Sequence, residues 1–324
     1  MNFLYCLLLV LAPLNLYAVH IEESQAVDQQ EQQEQQNLQF KDAAEVDEAD
    51  ELITNRRLRA DTGSLSPWSV SIFTNYQGGS VAHPIDPERP NIVAGNDATT
   101  MTLQNLTGTV GIRYRFTAKD SLTLNVGFFM TTPFHSSITT DNESLRQSFN
   151  DNSQKLDIND PELRYVHLNK IFGVQSVTEL NYRMITNGQQ RDRFDTRYFI
   201  SQTFMKDVGD TGFGYGSHFT FTNHELTHPV PDGQATPVRS MIGIYPFLEY
   251  EINDTYNLRT VWGWQVLDRF KSESNYQKRK VYQSVGLGIS VTRDIFLYPN
   301  IQFIPSDMRA DRTNIAVSAN INVF

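Results

Sequence analysis

The 324-residue sequence contains one cysteine, Cys6, so it has no intrachain disulfide to draw on. No stretch approaches twenty consecutive apolar residues, which excludes a transmembrane helix. Unpaired basic charge is also scarce: the net charge is −10, and that deficit argues against a nucleic-acid binder. The first residues, MNFLYCLLLVLAPLNLYA, lack any Lys or Arg ahead of their apolar run, leaving the α-amine as the only positive charge there. The segment still has secretory grammar: an apolar core over 3–12, a helix-breaking Pro13 and a small residue, Ala18, for cleavage. Residues 1–18 are therefore expected to be a signal peptide. Cys6 leaves with it, and no small residues precede Cys6 as they would a lipid-anchored one. The exported chain then has no cysteine and needs no disulfide.

The acidity sits in one place. Residues 19–66 hold twelve Asp/Glu against four Lys/Arg, whereas 67–324 hold 25 against 23 and are close to neutral. The acidic lead includes DQQEQQEQQ and DAAEVDEADEL, with little to bury and like charges that repel. Its composition points to a largely disordered, solvated segment. The alternative is a helix, since Glu, Gln and Ala form helices well; Leu52, Ile53 and Leu58 would then dock somewhere or pair with another chain. Arg56, Arg57 and Arg59 close the segment, and composition changes between Gly63 and Pro67.

From Pro67 onward the pattern has period two. Trp68, Val70, Ile72 and Tyr76 share one face, against Ser69, Ser71 and Asn75. Leu106, Val110, Ile112 and Tyr114 oppose Thr107, Thr109, Arg113 and Arg115, and Leu122, Leu124, Val126 and Phe128 oppose Thr123 and Asn125. A weaker strand runs through Leu163, Tyr165 and Leu168. Further strands are expected over 174–184, 194–204, 213–221, 242–252, 256–266, 281–291, 295–303 and 313–323, making twelve. Short polar turns alternate with long polar loops at 77–101, 132–158, 187–193, 225–238, 269–278 and 305–312.

This alternation resembles the Gram-negative outer-membrane β-barrel class, over residues 67–324 and including the C-terminal strand that ends in Phe324. In that class the last strand, closed by an aromatic, is read by the barrel-insertion machinery. Here the parity differs, since Val323, Ile321 and Val317 are apolar while Asn322 and Asn320 are in phase with Phe324. The expected fold is all-β: a twelve-stranded antiparallel transmembrane β-barrel behind an acidic, Gln-rich periplasmic lead at 19–66. Its partners would be the lipid bilayer, lipopolysaccharide and small solutes, with the cell outer membrane as its location.

The charged mid-strand residues then face the lumen, because an Arg facing lipid at midplane costs about 2–4 kcal/mol. The expected lining is Arg113, Arg115, Arg164, Glu179, Arg183, Arg197, Glu249, Glu251 and Arg259, with Glu162 and Asp195 of the same parity. Basic and acidic ladders opposed across a narrow pore would select solutes by charge; the alternative is mutual neutralisation in a wet interior that only supports the barrel. Passive passage of small hydrophilic solutes is the expected function, with no enzyme activity, cofactor or metal.

Three other features compete. His135 and Ser137, with Asn142 and Asn150 downstream, are faintly similar to the Ser, His and Asn set of outer-membrane phospholipases A, also twelve-stranded. They lie in a long loop, however, and the family's Gln-Ser-Asn-Gly run is absent. His218, His224 and His228 are spaced too widely for a compact metal site. GFGYG at 212–216 is no phosphate loop; its glycines relieve crowding in the lumen or permit a bend. Asp141, Glu143, Asp151 and Asp157 in loop 132–158 are candidates for divalent ions that bridge lipopolysaccharide, or are simply solvated. A non-conducting structural or adhesive barrel is the remaining reading.

Overall fold

A computed structural model describes residues 48–92, 100–152, 156–186, 195–225, 238–270 and 275–323. The expected signal peptide, residues 19–47 of the lead, Phe194 and the terminal Phe324 lie outside the described residues.

The elements run in order as helix α1 (Arg56–Thr62), strands β1 (Trp68–Ser80), β2 (Glu88–Pro90), β3 (Met101–Leu103), β4 (Asn105–Arg115) and β5 (Asp120–Thr131), and helix α2 (Glu143–Asn152). There follow β6 (Leu156–Ile171), β7 (Val174–Met184), β8 (Thr196–Asp207), β9 (Phe213–Glu225), β10 (Val238–Glu251), β11 (Tyr256–Gly263) and β12 (Gln265–Phe270). The chain ends with β13 (Gln277–Lys278), β14 (Tyr282–Ser290), β15 (Ile295–Phe303) and β16 (Asn314–Val323). All except the β2–β3 hairpin join one antiparallel sheet of fourteen pieces. β11 and β12 together make one crossing and β13 is a loop fragment, which leaves twelve crossings. β1 pairs with β16, Val70 opposite Val323 and Tyr76 opposite Val317, so the ring of twelve crossings closes on itself.

The alternation decides which face looks outward. Ile112 and Leu124 are 59% and 60% exposed on the outer face, while their neighbours Arg113 and Thr123 are buried. Outward aromatics pair near both rims: Trp68 with Tyr114 and Phe213 with Tyr250 at the short-turn end, each 4.6 Å between ring centroids, and Tyr182 with Tyr198 at 5.4 Å toward the loops. An apolar belt flanked by aromatics is the outer surface a bilayer requires. The short turns mark the periplasmic end. One of them, Phe172-Gly173 between β6 and β7, has positive φ at both residues (51° and 75°), the backbone that a two-residue hairpin needs.

Three prolines lie within crossings, each where pairing is irregular. A bulge in the β5–β6 ladder lies between Val126 and Phe128, beside Pro161. Pro246 lies between the stretches of β10 that pair with β11 and with β12. Pro299 lies where the β14–β15 register passes from Gly286 to Ile289. Each proline lacks the N–H that a continuous ladder would use.

On the outer side, the loop carrying β2 and β3 folds inward. Asn314 Nδ2 donates to the Pro90 carbonyl at 2.8 Å, and Ile92 packs with Ile304 and the inward Tyr282. α2 lies above β3, with Leu145 and Phe149 packed on Leu103.

The described end of the lead, residues 48–66, is not a solvated segment. It is helical at 48–52 and in α1, and it sits inside the ring at the periplasmic end. The helical alternative therefore holds there. Asn55 caps α1, its side chain accepting the Leu58 N–H at 3.0 Å, and Gly63 (φ 92°) ends it.

Candidate functional site: the barrel lumen

α1 is seated by apolar burial and by side chains that reach its backbone. Ile53 and Leu58 pack on inward-facing Val166, Leu168, Val177, Met205 and Phe247, and Ala60 packs on Phe296 and Tyr298. Gln175 Oε1 accepts the N–H groups of Thr54 and Asn55 at 2.9 Å each. Asn322 Nδ2 donates to the Ala60 carbonyl at 2.8 Å, and the Asp61 carboxylate accepts from Asn320. The rim adds ion pairs, Arg293 to Asp50 at 2.8 Å and Lys119 to Glu48 at 3.1 Å.

The expected lining residues fall into separate groups. Arg113 is buried, and its guanidinium donates to the carbonyls of Thr62 and Ser64; it clamps the end of α1. Arg115 lies at the periplasmic rim, where its N–H meets the Pro67 carbonyl at 2.8 Å. Arg164 pairs with Glu179 and reaches the Asp61 carbonyl at 3.5 Å. Glu162 sits between Arg183 at 2.8 Å and Arg197 at 3.2 Å. Glu249 accepts from Arg259 Nε at 2.7 Å and from Asn55 Nδ2 at 2.7 Å. The Arg259 guanidinium also lies over the rings of Phe247 and Tyr298, at 5.0 and 5.5 Å. Glu251 is exposed at the periplasmic mouth.

These ion pairs are lateral. Glu162, Arg183 and Arg197 come from β6, β7 and β8, while Glu249 and Arg259 oppose each other on β10 and β11. Of the two arrangements that charge parity left open, basic and acidic ladders facing each other across the lumen are not what forms; the charges pair with one another along the wall. Neighbouring strands place facing side chains about 5 Å apart, far closer than the far wall, so opposite charges meet sideways.

The charge is also confined to one side. Inward positions of β14, β15, β16 and β1 carry no side chain that is charged at neutral pH: Tyr282, Ser284, Phe296, Tyr298, Asn300 and Gln302 on the first two, then Asn, Ala and Ser on β16, then Ser, Phe, Asn and Gln on β1. Between this wall and α1 lies a cavity of about 280 Å³, bordered by Arg57, Asp61 and Arg259 on the other side.

The competing features are placed as follows. His135 and Ser137 lie in the loop after β5, Ser137 exposed. His218 faces inward and shares a 2.7 Å hydrogen bond between its Nδ1 and Thr203 Oγ1; His228 lies outside the described residues. Gly212 has φ 75° in a turn, and a side chain at Gly216 would run into Phe247, so bend and crowding each account for one glycine. Asp141 is exposed in the loop that leads into α2, and Glu143 is exposed in the first turn of α2.

Sequence reading missed α1 as a lumen element, along with Asn55 and Gln175. A signal for it exists in β6, where Tyr165-Val166 and the later Leu168 put apolar groups on both faces. A lumen wall that turns apolar needs something dry against it.

No family model and no curated protein matches the sequence. Among solved structures, the fold is similar to the COG4313 outer membrane channel from Pseudomonas putida F1, with a TM-score of 0.50 and 10% identity over 81% of this chain and 98% of that one. The NanC porin is a more distant match, at a TM-score of 0.42 and 10% identity over 79% and 98%. The closed ring, its apolar outer belt and the likeness to the first of these agree that this chain has the fold of a twelve-stranded outer-membrane β-barrel.

Proposed function

We propose that the barrel is a narrow passive channel for small hydrophilic solutes, limited by its own residues 48–66. One observation carries this reading: away from the apolar seat of Ile53 and Leu58 the inner wall is polar, and it borders a cavity alongside α1. A barrel that served only as a support would gain more from a dry, packed interior, as eight-stranded barrels do. The pore lining we assign is the group of Arg164, Glu179, Arg183, Arg197, Glu249 and Arg259, with Arg113 and Arg115 at the periplasmic end and Glu251 at its mouth. The lateral pairing of these charges supports weak ion selectivity.

A second reading, the non-conducting barrel, is favoured by the apolar seat of Ile53 and Leu58, which obstructs the periplasmic half. Planar-bilayer recording separates the two. The full chain is expected to show small, discrete conductance steps, and a variant lacking 48–63 steps several-fold larger. If neither passes current, the channel is excluded and the structural reading stands. The hydrolase alternative at His135 and Ser137 predicts fatty-acid release from phospholipid by the purified protein, with or without calcium; we expect none.

A further inference from the structure

The cavity beside α1 has a composition that the rest of the lumen lacks. Its wall over β14, β15, β16 and β1 is built of amides, hydroxyls and rings: Asn75, Gln77, Asn300, Gln302, Ser318 and Asn320 are all members. Amide and hydroxyl side chains both donate and accept, as a solute hydroxyl does. The charges that touch the cavity are already matched. Arg57 pairs with Asp61 at 3.2 Å, and Arg259 is held by Glu249 behind it. An ionised solute would leave water and find no free counter-charge, which is costly; a neutral one bearing hydroxyls would find partners.

Two further observations point the same way. Phe73 faces inward on a strand whose other inward positions are Ser69, Ser71, Asn75 and Gln77, and it is 42% exposed to the lumen. A bare aromatic among polar groups is unfavourable unless an apolar face covers it, and the C–H face of a pyranose ring is such a surface. The buried carbonyl oxygen of Gln302 has no hydrogen-bond partner among the described residues. At about 280 Å³ the space falls just below the range of about 300–1,000 Å³ typical of small-molecule sites.

We infer that this cavity is a binding site for a neutral, polyhydroxylated solute of mono- or disaccharide size, held by the amides of β15, β16 and β1 and stacked on Phe73. The inference rests on the channel reading only for its route of entry. α1 forms one side of the site, so the occupant touches the element that limits passage.

The test uses the full chain folded in detergent and then in bilayers. Calorimetric titration with glucose and maltose is set against glucuronate and glucosamine, which keep the ring and add a charge of either sign. Sugar-induced interruption of the current is recorded in parallel. The neutral sugars are expected to bind and interrupt the current, the charged ones about tenfold more weakly, as when one or two well-placed hydrogen bonds are lost. Phe73→Ala and Gln302→Ala should each weaken glucose binding by a similar factor, and Phe73→Leu, which keeps apolar bulk without the ring, should weaken it too. Heat-dependent electrophoretic mobility checks that each variant is folded. Glucuronate or glucosamine binding as well as glucose, or variants indistinguishable from the parent, would overturn the site. Current without any sugar binding removes the site and leaves the channel; sugar binding without current keeps the site and removes the channel.

Discussion

Glu249 is the residue on which several contacts converge. Its side chain is 1% exposed, and it accepts from Arg259, from the helix cap Asn55 and, at 3.3 Å, from Asn257. Removing its charge would leave the buried guanidinium of Arg259 without a partner, a loss of about 3–5 kcal/mol when one member of a buried pair is removed. Glu249→Gln is therefore expected to lower the temperature at which the folded band converts to the unfolded one on electrophoresis. The double variant with Arg259→Gln should recover part of the loss, since no lone charge remains. A single variant as heat-stable as the parent would mean that water, not Glu249, solvates Arg259. Period-two parity alone was enough to place both residues on the inward face. It could not say that they pair with each other and with Asn55, because the register between β10 and β11 and the position of residue 55 are set by tertiary packing. Arg113 is a sharper case: its parity was legible, but its role as a clamp on two backbone carbonyls depends on a segment whose local composition favours solvation.

α1 shows how an element can be stable inside a lumen without being strongly specified by its own sequence. Its seven residues are too few to persist alone, so its stability comes from the apolar seat and the clamps. The join to β1 is the most constrained point. Gly63 has φ 92° and ψ −175°, a region essentially reserved for glycine, and an added Cβ would run into the Arg113 guanidinium. Gly63→Ala should cost about 1–3 kcal/mol at that join. It is expected to unseat the helix rather than the barrel, so open events in bilayers become more frequent while the electrophoretic unfolding temperature stays near that of the parent. A fall in that temperature with unchanged current would instead make α1 part of the barrel's support. The helix was legible to the extent that Glu, Gln and Ala favour one and Leu52, Ile53 and Leu58 offer groups to dock; its destination was not, because nothing local in 48–66 distinguishes a docked helix from a solvated one. The answer was spread over Val166, Leu168, Val177, Met205 and Phe247, inward positions on four different strands. The crossings were the most legible elements, since each carries its own alternation, and three of the departures from regular pairing fall at Pro161, Pro246 and Pro299.

At the scale of the whole barrel, the unequal distribution of charge decides what an ion meets. Seven charged groups on β6 to β11 pair with one another sideways, with Glu162 serving two arginines, and the four crossings opposite offer only neutral dipoles. Such a lumen has polar walls but little net field along its axis, so the parent channel should discriminate weakly between potassium and chloride. Glu162 makes this testable, because it pairs with both Arg183 and Arg197 and its side chain is 7% exposed. Glu162→Gln keeps the shape and takes from two guanidinium groups the carboxylate they share, in a confined, low-dielectric passage where a local excess of positive charge concentrates anions. The reversal potential under a potassium chloride gradient should then move toward the chloride value. The double variant with Arg197→Gln leaves Arg183 alone uncompensated and should return part of the way. An unchanged reversal potential in Glu162→Gln, with conductance intact, would place this cluster off the conduction path and route ions along the amide wall of β14, β15, β16 and β1 instead.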